Sequence, residues 1–145
     1  MIVARHIGIV VYDLEKMVHF YKDLLGLKVV KRMDESGSYI DTLLASPGTH
    51  IKTVKLSSGG AVFVELLYFH SHPGQIRLQK GLFDNGISHI AFTVKDIDSE
   101  CKKLTKAGVL FVSLPQNSPD GQAKVAFCRD YEGNLLELVE ELHPA

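Results

Sequence analysis

The sequence predicts an α+β fold built from two copies of one strand–helix–strand–strand–strand module. Three observations predict it. An eight-residue string recurs 83 positions later: His6-Ile-Gly-Ile-Val-Val-Tyr-Asp13 and His89-Ile-Ala-Phe-Thr-Val-Lys-Asp96 share His, Ile, Val and Asp in register. Each string is followed by apolar residues at helical spacing, closed by a glycine. Each helix is followed by strand-like runs.

The first string is β-branched and apolar, suited to a strand, and Asp13 is suited to cap a helix because its carboxylate can accept from free first-turn amides. Leu14, Met17, Val18, Tyr21, Leu24 and Leu25 then mark one face of a helix over 13–25, and Gly26 ends it. Strands are expected at 27–32, 51–56 and 61–69, with Ser57-Ser58-Gly59-Gly60 as a hairpin turn. Residues 38–45 break the symmetry, with Ile40, Leu43 and Leu44 at helical spacing before Ser46-Pro47-Gly48; they read as an extra helical turn or a loop. In the second half, Ile97, Cys101, Leu104 and Ala107 give a thinner helical stripe over 96–107, ended by Gly108. Strands follow at 109–113, 123–128 and 134–140, with a turn at Asp130-Tyr131-Glu132-Gly133. The stretch 114–122 holds two prolines and reads as a surface loop. The module boundary falls near residues 80 and 81, with no Gly/Ser tether, so the 145 residues read as one domain of two modules.

Composition narrows the function. The chain is 46% apolar and 23% charged with a net charge of −1, so no strong field is available for nucleic acid or an anionic membrane surface. No apolar run approaches the ~18 residues of a membrane span. Cys101 and Cys128 form neither a disulfide framework nor a C-x-x-C pair. The expectation is a reduced, cytoplasmic, soluble protein.

Each half begins with a strand histidine and ends with a strand glutamate inside an apolar run: His6 and Glu65, then His89 and Glu137. A carboxylate among apolar neighbours is costly unless paired or metal-bound. The intervals, 59 and 48 residues, differ by about the extra 38–45 segment and a short turn. A pseudo-twofold repeat would bring equivalent residues together. Two imidazoles and two carboxylates make a donor set suited to Zn, Ni, Co, Mn or Fe(II).

With these residues in view, the chain resembles the vicinal oxygen chelate superfamily, which includes glyoxalase I, methylmalonyl-CoA epimerase and the extradiol dioxygenases. The segment from His6 through Phe20-Tyr21 to Gly26-Leu27 is similar to the family's first module. Asp130-Tyr-Glu-Gly-Asn134-Leu-Leu-Glu137-Leu is similar to its closing turn and strand, with Tyr131 where proline is common. The resemblance covers nearly the whole chain. It implies paired βαβββ modules in a cupped mixed sheet, and a divalent metal in the cup held by His6, Glu65, His89 and Glu137. It also implies a small-molecule substrate with two vicinal oxygens and a homodimer.

Glutamate at both acidic positions resembles the glyoxalase I pattern, an isomerase or lyase that stabilises an enediolate. Epimerases often have Gln at the position of Glu65, and extradiol dioxygenases use two His and one Glu. Glyoxalase I proteins often follow the first Glu with Leu-Thr and a nearby Asn; here the run is Glu65-Leu-Leu-Tyr-Phe, which leaves a glutathione adduct unassigned. A ring-cleaving dioxygenase and a non-catalytic binding or resistance protein are the alternatives. Glu137 is expected to be the base that takes the proton beside the carbonyl, with Glu65 its symmetric partner. His70 and His72 read as exposed loop residues and His19 as solvated. His50 could line the cup or lie at the surface, and Cys128 could face the cup. Arg77, Lys80 and Arg129 are candidate anion contacts.

Overall fold

The computed structural model describes residues 1–74 and 81–143. It divides into two compact units, Met1–Arg77 and Leu78–Ala145, close to the module boundary read from the repeat. Each unit builds its own four-stranded mixed sheet.

In the first unit the order along the chain is β1 (His6–Val10), α1 (Leu14–His19), β2 (Lys28–Ser36), α2 (Ser38–Leu43), β3 (His50–Ser57) and β4 (Phe63–Phe69). The sheet order is β1-β4-β3-β2, with β1 parallel to β4 and the other pairs antiparallel. Asp13 caps α1 as its sequence position suggested, accepting from Lys16 N at 3.1 Å. The expected helix over 13–25 is not uniform. After His19 it widens into a π-helical turn, Phe20–Leu24, closed by Leu25 N donating to Phe20 O at 3.1 Å. The widening lets two adjacent aromatic residues share the core. Phe20 and Tyr21 are both fully buried, with rings edge-to-face at 5.2 Å. Gly26 then takes φ +79°, the left-handed turn that a side chain would resist. The 38–45 segment forms a helix, α2.

The strand registers sort the side chains onto two faces. Ile7 and Ile9 stand beside Val64 and Leu66, which stand opposite Leu56 and Val54. This is the core face. The bidentate Arg32–Glu15 pair, 2.7 and 3.3 Å, ties α1 to it, because Arg32 is in register with Val54. Leu56 and Leu66 are completely buried, and truncating either to Ala would cost about 2–5 kcal/mol. The opposite face carries His6, Glu65 and Lys55.

The second unit repeats the plan: β5 (His89–Thr93), α3 (Ile97–Lys106), β6 (Gln116–Asn117), β7 (Ala123–Arg129) and β8 (Leu135–Glu141), in the order β5-β8-β7-β6. Asp96 caps α3 through Ser99 N (3.0 Å) and Ser99 Oγ (2.7 Å). Ile90, Phe92, Leu136, Leu138, Ala126 and Cys128 form the core face, and the Lys124–Asp98 ion pair ties α3 to it. One expectation fails here. Residues 109–113 are not a strand: Phe111 makes a single bridge to Cys128. The fourth strand is instead the two-residue β6, inside the stretch read as a loop. Pro115 and Pro119 flank it and lack amide donors, so the pairing stays short.

Candidate functional site

In each unit the strand histidine lies against the strand glutamate, and the two contacts form in the same way. In the first unit β1 runs parallel to β4 with Gly8 beside Glu65, so His6 lies two residues back along the same face. His6 Nε2 is 2.8 Å from Glu65 Oε2. In the second unit Ala91 lies beside Glu137, and His89 is again two residues back. His89 Nε2 is 3.0 Å from Glu137 Oε2. Two parallel strand pairs with equal registers turn a sequence repeat into two equal chemical pairs.

The pairs suit a metal. Within each pair the imidazole nitrogen and the carboxylate oxygen are about 3 Å apart, close enough that both would reach one ion. Imidazole nitrogen with carboxylate oxygen suits Zn, Ni, Co, Mn and Fe(II). Within either unit, among the described residues, no third His, Cys, Asp or Glu joins a pair.

The two carboxylates differ in their surroundings. The Glu65 side chain is 10% exposed and Glu137 22%. Lys55 stands directly opposite Glu65 on β3, with its Nζ 3.9 Å from Glu65 Oε1. The corresponding residue opposite Glu137 is Phe127, whose ring meets His89 edge-on at 5.2 Å and 90°. So Glu65 is bracketed by an imidazole and an ammonium, and among the described residues Glu137 has His89 as its only ion-pair partner. Lys55 was not legible as a site residue, because its place opposite Glu65 depends on the length of the β3–β4 connection.

Other candidates move away from the site. His50 lies on the opposite face from Glu65, five residues along β3 from Lys55, and is held by Asp34 at 2.5 Å. Cys128 faces the core beside Leu136, so it does not share the Glu137 face, and burial pushes its thiol up to about 12. Cys101, on the apolar stripe of α3, is only partly buried. His70 and His72 are exposed beyond the end of β4, as expected, with His72 Nδ1 2.7 Å from Ser71 Oγ. His19 pairs with Asp23 in solvent. Arg129 donates to Gly133 O at 2.8 Å and so braces the turn before β8. Arg77 and Lys80 lie outside the described residues.

Among the described residues, no helix is long and apolar enough to cross a membrane. The family model for the glyoxalase/bleomycin resistance protein/dioxygenase superfamily matches residues 4–138. A probable lactoylglutathione lyase of Vibrio cholerae is 31% identical over 135 residues, covering 93% of this chain and 88% of that protein. A probable lactoylglutathione lyase of Synechocystis is 30% identical, covering 93% and 92%. A crystal structure of a glyoxalase family protein from Bacillus cereus superposes with a TM-score of 0.88 at 24% identity, covering 99% of this chain and 96% of that one.

Proposed function

Because the chain belongs to the glyoxalase/bleomycin resistance protein/dioxygenase superfamily, we propose that it is a metal-dependent isomerase or lyase of the glyoxalase I type. In this reading His6, Glu65, His89 and Glu137 hold one divalent ion, and the substrate is a small molecule with vicinal oxygens. The observation that carries it is the pair of equal His–Glu contacts, 2.8 and 3.0 Å, one in each unit. Relatives at about 30% identity named as lactoylglutathione lyases support the reaction class.

When bound, such an ion supplies Lewis acidity toward a carbonyl oxygen, which acidifies the neighbouring C–H. The chain's own residues do the rest. Two carboxylates balance the ion's charge and two neutral imidazoles add none. Glu137 takes the proton from the carbon beside the carbonyl and returns it to the former carbonyl carbon, while the hydroxyl proton passes from the first carbon's oxygen to the former carbonyl oxygen, so the isomerisation balances. Glu65 stays in place. Lys55 Nζ lies 3.9 Å from it and helps hold it, whereas Glu137 has no ammonium neighbour among the described residues and is freer to move. Leu135, Val139 and Phe127 share the Glu137 face and limit water around the carboxylate.

The test compares Glu137→Gln and Glu65→Gln for bound metal and for exchange of the substrate α-proton with solvent deuterium. Adducts of a 2-oxoaldehyde with several thiols, glutathione among them, serve as substrates. Glu137→Gln should keep metal and lose about 10²–10⁴-fold in exchange rate. Retention of both metal and exchange rate would remove Glu137 as the base.

A further inference from the structure

The first unit carries a second feature on the face of His6 and Glu65. Strand β2 has a bulge between Val29 and Lys31. Val29 pairs with Leu56, but the next paired residue, Lys31, pairs with Lys55. Without the extra residue, Lys31 would fall on the core face. The bulge re-aims it, as bulges do. The result is a row across the sheet of Lys31, Lys55 and Glu65.

Two like charges directly opposite on an antiparallel pair are destabilising. Lys55 is offset by Glu65 at 3.9 Å. Lys31 is exposed and, among the described residues, has no acidic partner within ion-pair distance. The row thus holds one positive charge in excess. One step along β3 on the same face is Thr53, which is 4% exposed; its hydroxyl is buried with no hydrogen-bond partner among the described residues. An unpaired buried hydroxyl is costly, so it calls for an explanation. Among the described residues, the second unit has nothing equivalent. Opposite Glu137 stands Phe127, and one step along stands Val125, opposite Val139.

We propose that Lys31, Lys55 and Thr53 form an oxyanion subsite beside Glu65, so that the substrate carries a carboxylate or phosphate close to its vicinal oxygens. The inference rests on the site reading above and narrows its substrate class. The ammonium of Lys55 sits between the substrate's anionic group and Glu65. Lys31 neutralises the added charge, and the Thr53 hydroxyl donates to the same group after a small side-chain adjustment. A neutral substrate would leave the row's one excess positive charge, that of Lys31, without an acidic partner.

Three probes share one hydroxyketone and differ in the attached group: hydroxyacetone (neutral), hydroxypyruvate (carboxylate) and dihydroxyacetone phosphate. Binding is measured by calorimetry at low salt, on metal-free and on nickel-loaded protein. One or both anionic probes should bind at least about tenfold tighter than hydroxyacetone, as charge-assisted hydrogen bonds require. The tighter of the two identifies the anion. Lys55→Met and Lys31→Met should each remove most of that preference. Thr53→Val should weaken the anionic probe while raising thermal stability, a combination a purely structural hydroxyl would not give. Lys52→Met, on the core face beside Asp34, should change nothing. Equal or undetectable binding of all three probes, or an equal effect of Lys52→Met, overturns the subsite. Failure of the metal-site reading is a different result: nickel would not strengthen hydroxyacetone binding, whether or not the anion preference is present.

Discussion

The His89 imidazole and the Glu137 carboxylate face each other at 3.0 Å across two parallel strands, offset by two residues in register. The same offset sets His6 against Glu65. If both pairs ligate one ion, His89→Ala and His6→Ala should each remove most of the metal from protein purified without chelator, while His72→Ala should not. Metal content per chain reads this directly. Acidification should release the ion, since protons compete for the imidazole and carboxylate lone pairs.

Asp130 is the structural key to the strand that carries Glu137. It is 5% exposed; Oδ1 accepts from Glu132 N and Asn134 N, both at 2.9 Å, and Oδ2 accepts from Asn134 Nδ2 at 2.8 Å. Asp130→Ala leaves those donors without their carboxylate and should cost about 2–4 kcal/mol, measured as a lower urea midpoint with an unchanged slope. Metal affinity should fall with it, because β8 begins at the end of this turn.

Acid stability should include a contribution from the α3 cap. The Ser99 amide and hydroxyl hold the Asp96 carboxyl below its ordinary 3.8. The unfolded chain therefore binds this proton first as pH falls. The cap's contribution is fully present above pH 3.8 and is lost as pH drops through the lower folded value. Asp96→Asn should flatten that part of the stability profile and leave the neutral-pH side of the curve with the same shape.

A homodimer is the expected assembly. β1 is an edge strand of its sheet, and it ends in exposed Val10 with exposed Tyr12 just beyond. Open edges with apolar side chains are association surfaces. Sedimentation equilibrium at micromolar concentration should give twice the 16.1 kDa chain mass. Val10→Lys should shift the population toward monomer, and an all-monomer wild type would refute the expectation.

The repeat of His-Ile-x-x-x-Val-x-Asp was enough to identify two modules and their helix caps, because each depends on local spacing; the two glutamates stood out as acids inside apolar runs, and the family resemblance named them with the two histidines as candidate ligands. Asp13 and Asp96 cap helices through bonds spanning three residues, and glycine ends both helices by its backbone freedom. Three things needed the tertiary structure. The widening at Phe20 and Tyr21 arises from the need to bury two adjacent rings, which spacing alone does not encode. The short β6 replaced the expected strand over 109–113, which meets β7 only at the Phe111–Cys128 bridge and its two flanking backbone hydrogen bonds. The neighbours of the two glutamates, Lys55 for one and Phe127 for the other, follow from cross-strand register. Register is set by loop lengths and a single bulge, and a one-residue slip sends every side chain to the other face.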